Sequence, residues 1–152
     1  MADVVADSKF AGLLDSLRVE DASSGKRGFK TYRDIMKFAA MVGFECSQRQ
    51  RGDGKGKVVP LRIFESSKDQ HLIWLIALLA EEDVEILRKD EYGDQEDRAI
   101  GVFEDYVNGG LEEISTWVIT RAPDDYMSEI IDRVNARIQA EVDVSNEDIT
   151  FE

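Results

Sequence analysis

His71 is the sole histidine and Cys46 the sole cysteine of the chain. A site that needs two histidines, such as a His-x-x-x-His zinc pair, is therefore excluded, and at most one histidine base is available. His71 heads a strongly apolar stretch, and a partly buried polar residue near a helix start accounts for it. Cys46 follows a run of apolar residues and reads as a small buried side chain rather than a nucleophile paired with His71. A single cysteine also excludes an internal disulfide and suits a reducing cytoplasm.

The carboxylates Glu81, Glu82, Asp83, Glu85, Asp90, Glu91, Asp94, Glu96 and Asp97 crowd one region and invite a metal reading. An EF-hand loop needs glycine at position six and a carboxylate at position one. Counting back from Gly93 places Arg88 at position one, so that pattern fails. A metal-dependent nuclease of the common type needs an acidic residue followed by Glu-x-Lys on a neighbouring strand, to hold the cation and activate water. No strand with that pattern is evident, and the acids read as a solvated face. The sequence thus predicts no catalytic residue, no metal site and no cofactor, with a metal-dependent nuclease as the least favoured function.

Positive charge is concentrated elsewhere. Lys26 to Lys68 holds 11 basic residues against 4 acidic ones, although the whole chain carries a formal charge of -13. From Glu81 onward there are 22 acidic and 6 basic residues. A chain so divided can present one positive face while being acidic overall. The candidate nucleic-acid contacts are Lys26, Arg27, Lys30, Arg33, Arg49, Arg51, Lys55, Lys57 and Arg62. Gly52-Asp53-Gly54-Lys55-Gly56-Lys57 looks superficially like a phosphate-binding loop, but lacks the Gly-Lys-Ser/Thr ending and the flanking strand and helix. A mobile basic loop is the better description. Phe29 and Tyr32 are the aromatics interleaved with basic residues, an arrangement that suits backbone-plus-stacking contacts. The other large aromatics, Phe38, Phe44, Trp74, Phe103, Tyr106 and Trp117, fall on apolar stripes and read as core.

The elements that must position these residues are mostly helical. The chain has 152 residues, enough for one domain, and is 43% hydrophobic, enough for a core. Its longest apolar run, Leu72 to Ala80, falls well short of the ~20 residues of a membrane span, so a soluble, cytoplasmic protein without a membrane partner is expected. Ser8 and Thr31 are placed to cap the first two helices, with Gly43 ending the second. Val58 to Phe64 reads as an extended segment, restricted by Pro60 to a sheet edge. His71 to Ala80 is apolar on nearly every side and should be the buried centre of the core. Asn108-Gly109-Gly110 reads as a helix stop. A last helix carries Met127, Ile130, Ile131, Val134 and Ile138 at helical spacing, a stripe suited either to the domain's own core or to docking in a partner's groove. The expected fold is mainly α: a compact single-domain helical fold of five to seven helices with at most one small β-hairpin. Its divisions are a flexible N-terminus over 1–7, the helical domain over 8–140 and an acidic tail over 141–152.

Four stretches together resemble the DNA phosphorothioation-associated protein 4 family: Phe29 to Phe44, Val59 to Glu65, Leu72 to Leu79 and Phe103 to Leu111. They lie within residues 26 to 118. Phe38-Ala39-Ala40-x-x-Gly43-Phe44 and Phe103-Glu104-x-Tyr106-x-Asn108-Gly109-Gly110-Leu111 are the most distinctive elements. The resemblance implies a cytoplasmic bacterial defence setting, in which sulfur replaces a non-bridging backbone oxygen in host DNA and unmodified invading DNA is restricted. It also implies an accessory role with no transferable catalytic residues. The function expected is a non-catalytic adaptor that contacts other proteins of a DNA-modification or restriction complex. The alternative is a DNA-binding or regulatory module using residues 26–62.

Overall fold

The computed structural model describes residues 2–19, 25–88 and 93–148. In chain order these form β1 (Asp3–Val5), a 3-10 turn, α1 (Ala11–Leu17), α2 (Tyr32–Glu45), β2 (Val58–Pro60), α3 (Leu61–Ser66), α4 (Gln70–Glu81), a second 3-10 turn (Val84–Leu87), α5 (Asp94–Val118), a third 3-10 turn (Pro123–Asp125) and α6 (Tyr126–Asp148). The fold is mainly helical, with one small antiparallel sheet.

α5 is the axis. Its 25 residues span about 37 Å at 1.5 Å per residue. Gly93, in the left-handed conformation, precedes it, and Asp94, Glu96 and Asp97 fill its first turn, where the helix dipole favours negative charge. Ile100, Phe103, Val107, Leu111, Ile114 and Val118 form its buried face. α2 crosses this face. Thr31 caps α2 by accepting a 3.1 Å hydrogen bond from the Asp34 amide, as its sequence position predicts.

The crossing explains why Asn108-Gly109-Gly110 does not end a helix. α5 runs through it without a break, and α2 runs through Gly43 to Glu45. A Cβ added to Gly110 would lie 2.5 Å from the carbonyl carbon of Ala39, and one added to Gly43 would lie 2.9 Å from the Gly110 amide nitrogen. These glycines let two backbones touch. Each costs the helix about 1 kcal/mol relative to alanine, which the close packing offsets.

The sheet also departs from expectation. β2 pairs with β1, in the register Asp3↔Pro60, Val4↔Val59 and Val5↔Val58, rather than with a neighbour through a hairpin turn. Residues 2–7 are therefore not a loose end: Val4 and Ala6 are fully buried. Pro60 ends the strand and leads directly into α3, since its fixed φ suits a helix start. Asp7, not Ser8, caps the first turn.

α4 is covered around most of its circumference: Ile73, Ile76 and Ala77 are buried, and Leu72, Trp74, Leu78 and Ala80 pack against the core clusters. Leu75 and Leu79 alone of its apolar residues face solvent, so α4 flanks the core instead of forming its centre. At the C-terminus, residues 141–148 continue α6 rather than forming a separate tail. The last part of the tail expected over 141–152, residues 149–152, and part of the loop expected over 20–28 lie outside the described residues. No helix among the described residues is long and apolar enough to cross a membrane.

Candidate functional site

The basic segment does not form a single surface. Lys26, Arg27 and Lys57 line one cleft of about 1020 Å3, together with Arg18 from the end of α1. Arg49 and Arg51 line a second, of about 510 Å3. Arg33, Lys30, Lys55 and Arg62 line neither.

Several of these cations are already committed. Arg33 sits 3.4 Å from Asp69 and 3.6 Å from Asp34. Arg49 reaches Glu81 at 3.0 Å and Asp105 at 3.4 Å, over the ring of Tyr106. Lys57 is 3.2 Å from Asp15. Arg27 donates to the Ser128 hydroxyl at 2.7 Å and so ties the cleft to α6. Lys30, Arg51, Lys55 and Arg62 are exposed, without an ion pair to another described residue.

Tyr32 anchors the first cleft. Its hydroxyl donates to Asp15 at 2.6 Å, and its ring faces Arg18 at 4.7 Å and Lys57 at 5.1 Å. Those bonds hold the Asp15 carboxyl below its ordinary range, the Tyr32 hydroxyl first and Lys57 second. Both neighbours of the ring are cations, so Tyr32 offers charge rather than an open stacking platform. Phe29 packs on Phe38, with ring centroids 5.5 Å apart, and belongs to the core margin. Sequence reasoning missed Arg18, because nothing local links it to a segment that joins it only in the fold.

The second cleft is framed by Gln48 to Lys57, which is pinned rather than mobile. The Gln48 amide bonds Gly43 O at 2.8 Å, the Gln50 amide bonds Asp105 O at 2.9 Å, and Lys57 O accepts from the Ala6 amide at 3.0 Å. Asp53 accepts from the Ser8 and Lys55 amides, each at 3.0 Å, and from the Ser8 hydroxyl. These bonds, the Ser8 hydroxyl first, hold its carboxyl at about 2. The glycines that suggested phosphate binding serve close approach instead. A Cβ at Gly52 would meet Asn108 Nδ2 at 2.6 Å, and one at Gly56 would run into Ala6 and Asp7 backbone.

α5 provides the clamps. Asn108, buried, accepts the Asp7 amide at 2.8 Å, and Glu104 accepts the Val5 amide at 2.7 Å. Burial pushes the Glu104 carboxyl up, against the opposing pull of the Val5 amide. The two sequence elements that carry the family resemblance are thus the α2–α5 crossing and the clamp on the N-terminal strand. Cys46 is half-buried, and desolvation pushes its thiol up. His71 is exposed at the start of α4. Among the described residues, no group of three or more His, Cys, Asp or Glu is placed to hold a metal ion.

The family model described as DNA sulphur modification system-associated protein 4 matches residues 5–151. The chain belongs to that family. The match covers nearly the whole chain and so extends past the 26–118 stretch in which the resemblance is legible. It associates the protein with the DNA sulphur modification system. No curated protein and no solved structure matches the chain.

The predicted partner stripe is divided by the fold. Ile130 is buried, and Met127 and Val134 pack against the core as partly buried residues. Ile131 is also half-buried. Ile138, by contrast, is 56% exposed, and Val142 one turn later is 47% exposed. The first turns of α6 therefore belong to the domain, and the later ones stand away from it. Arg137 joins Glu45 at the end of α2, beside the point of departure.

Proposed function

We propose that this protein is a non-catalytic accessory of the DNA sulphur modification system, acting in a cytoplasmic phage-defence setting by binding other proteins of that system. One observation carries this reading: the distal half of α6 keeps a helical apolar stripe, Ile138 and Val142, that no surface among the described residues covers. Short isolated helices are marginal in water, so an uncovered amphipathic extension gains stability from a partner's groove. Affinity purification of the tagged chain from its native host tests it. Wild type should recover proteins of the modification or restriction machinery, and Ile138→Asp combined with Val142→Asp should lose them. Recovery of none by wild type, or equal recovery by both, refutes the reading. Incubation with plasmid and magnesium or manganese should leave the DNA intact.

A second reading has its own support. Arg18, Lys26, Arg27 and Lys57 converge on one cleft around Tyr32 and would suit a phosphate backbone. It predicts salt-sensitive DNA binding that weakens in Lys26→Gln with Arg27→Gln. Absence of binding at low salt removes it.

A further inference from the structure

The exposed stripe of α4, Leu75 and Leu79, is the feature that neither the core nor α6 explains. Residues Leu72 to Ala80 are apolar around the whole helix, a pattern that belongs to a helix covered on all sides. The fold covers all but one stripe. Ile73, Ile76 and Ala77 are buried, the last with Ile86, Ala99 and Val102 in a small second cluster, and Leu72, Trp74, Leu78 and Ala80 pack against the clusters as partly buried residues. Leu75 and Leu79, one turn apart, are 51% and 52% exposed. Two more exposed apolar side chains follow within eight residues, Val84 at 72% and Leu87 in the 3-10 turn that packs on α4. Large apolar side chains left exposed so close together in the chain, amid polar ones, suit an interaction site.

The rim is acidic. Residues 81–88 and 94–98 hold seven carboxylates against two guanidiniums, Arg88 and Arg98. The two stretches are joined at the surface by Arg98, 2.9 Å from Asp83. Arg88 is itself paired with Glu85 at 3.2 Å. This charge selects the occupant. A second copy docked symmetrically through this patch would bring its acidic rim against the same acidic rim, and like charges across an interface are repelled. An anionic lipid surface or a nucleic acid meets the same repulsion. A cationic rim matches.

We infer that Leu75, Leu79, Val84 and Leu87 form a docking surface for an amphipathic helix of a different protein, one whose apolar stripe is flanked by Lys and Arg. The inference rests on the accessory reading and adds a second surface, with its own chemistry, to the distal half of α6. An adaptor with two such faces can hold two partners at once.

Site-specific photo-cross-linking in the native host tests it, with a benzophenone side chain placed singly at Leu79, Val84 or Ile138. The supporting result is a cross-link from Leu79 and Val84 to a peptide of another protein, with apolar residues at three- and four-residue spacing beside Lys or Arg. Glu82→Lys with Glu85→Lys should then lower the Val84 yield by about tenfold or more. Those two side chains are exposed, so the thermal midpoint of that variant should stay at the wild-type value, which separates lost docking from lost folding. Cross-links to a second copy, to lipid, to an acidic peptide or to nothing overturn the inference, as does a yield insensitive to the charge reversal. Capture from Ile138 alone would leave the accessory reading standing and this surface refuted. Capture from neither would refute both.

Discussion

Gly110→Ala and Gly101→Ala make the same chemical change on the same helix, and the α2–α5 crossing predicts opposite outcomes. At position 101 an added methyl meets no heavy atom within 4 Å, so the variant gains only helix propensity, about 1 kcal/mol. At position 110 the methyl would lie 2.5 Å from the Ala39 carbonyl carbon and 3.0 Å from its Cα. Ordinary carbon–carbon contact is about 3.5–4.0 Å. The Ala39 carbonyl oxygen is nearer still, and the neighbour is backbone, not the end of a flexible side chain, so α2 must retreat by well over ~1 Å along a seam that also includes Gly43. Overpacking of this kind costs about 1–3 kcal/mol and sometimes more. The upper value is appropriate where two backbones collide. Set against the same gain in propensity, it leaves Gly110→Ala about 2 kcal/mol less stable than wild type.

For a chain of this length, about 1 kcal/mol moves the thermal midpoint by roughly 2–4 °C. Gly110→Ala should therefore melt about 4–8 °C below wild type, and Gly101→Ala about 2–4 °C above it. Circular dichroism at 222 nm reads both, and urea unfolding at fixed temperature provides the free energies. If Gly110→Ala melts at or above wild type, the helices are not in backbone contact at that point. The account of Asn108-Gly109-Gly110 as a crossing rather than a stop would then fail.

Three further outcomes follow from the clamps and from α6. Asn108→Leu leaves the Asp7 amide without its acceptor and should cost about 1–3 kcal/mol, with faster hydrogen exchange at that amide; unchanged exchange would contradict the bond. Burial raises the Glu104 carboxyl, so the folded state holds that proton more tightly than the unfolded chain. The resulting stability is fully present below the ordinary glutamate value of 4.5 and is lost as pH rises through the raised folded value. Glu104→Gln keeps an acceptor for Val5 and removes the titration. Urea unfolding should show its stability gaining on wild type between pH 4 and pH 7, and a pH-independent difference would count against the burial. Finally, Ile130→Ala should cost about 2–5 kcal/mol and Ile138→Ala less than about 0.5, since the first side chain is buried and the second exposed; equal costs in thermal unfolding would mean that α6 does not leave the core where described.

What the sequence settles by itself is what adjacent residues settle. Thr31 followed by Asp34 and the Ile35, Ala39, Val42 spacing is enough to start α2, because a cap and a stripe act within one or two turns. The helical class follows from such spacings, and the single histidine excludes a two-histidine metal site whatever the fold. The family is legible too, since Phe38 to Phe44 and Phe103 to Leu111 are contiguous strings.

Tertiary structure alone decides the rest, because the deciding partner is far away in the chain. Glycine permits a helix end and also permits a helix contact. Gly110 is committed to the second by the backbone of Ala39, which no local pattern contains. Val4 becomes a strand residue only because Val59 arrives beside it. Arg33 and Arg49, basic in the sequence, are neutralised in space by Asp69, Glu81 and Asp105. Apolar character on every side of α4 specifies that the helix should be covered, but not by what. The position of α5 determines that most of α4 is covered from within and that the Leu75–Leu79 stripe is left to solvent.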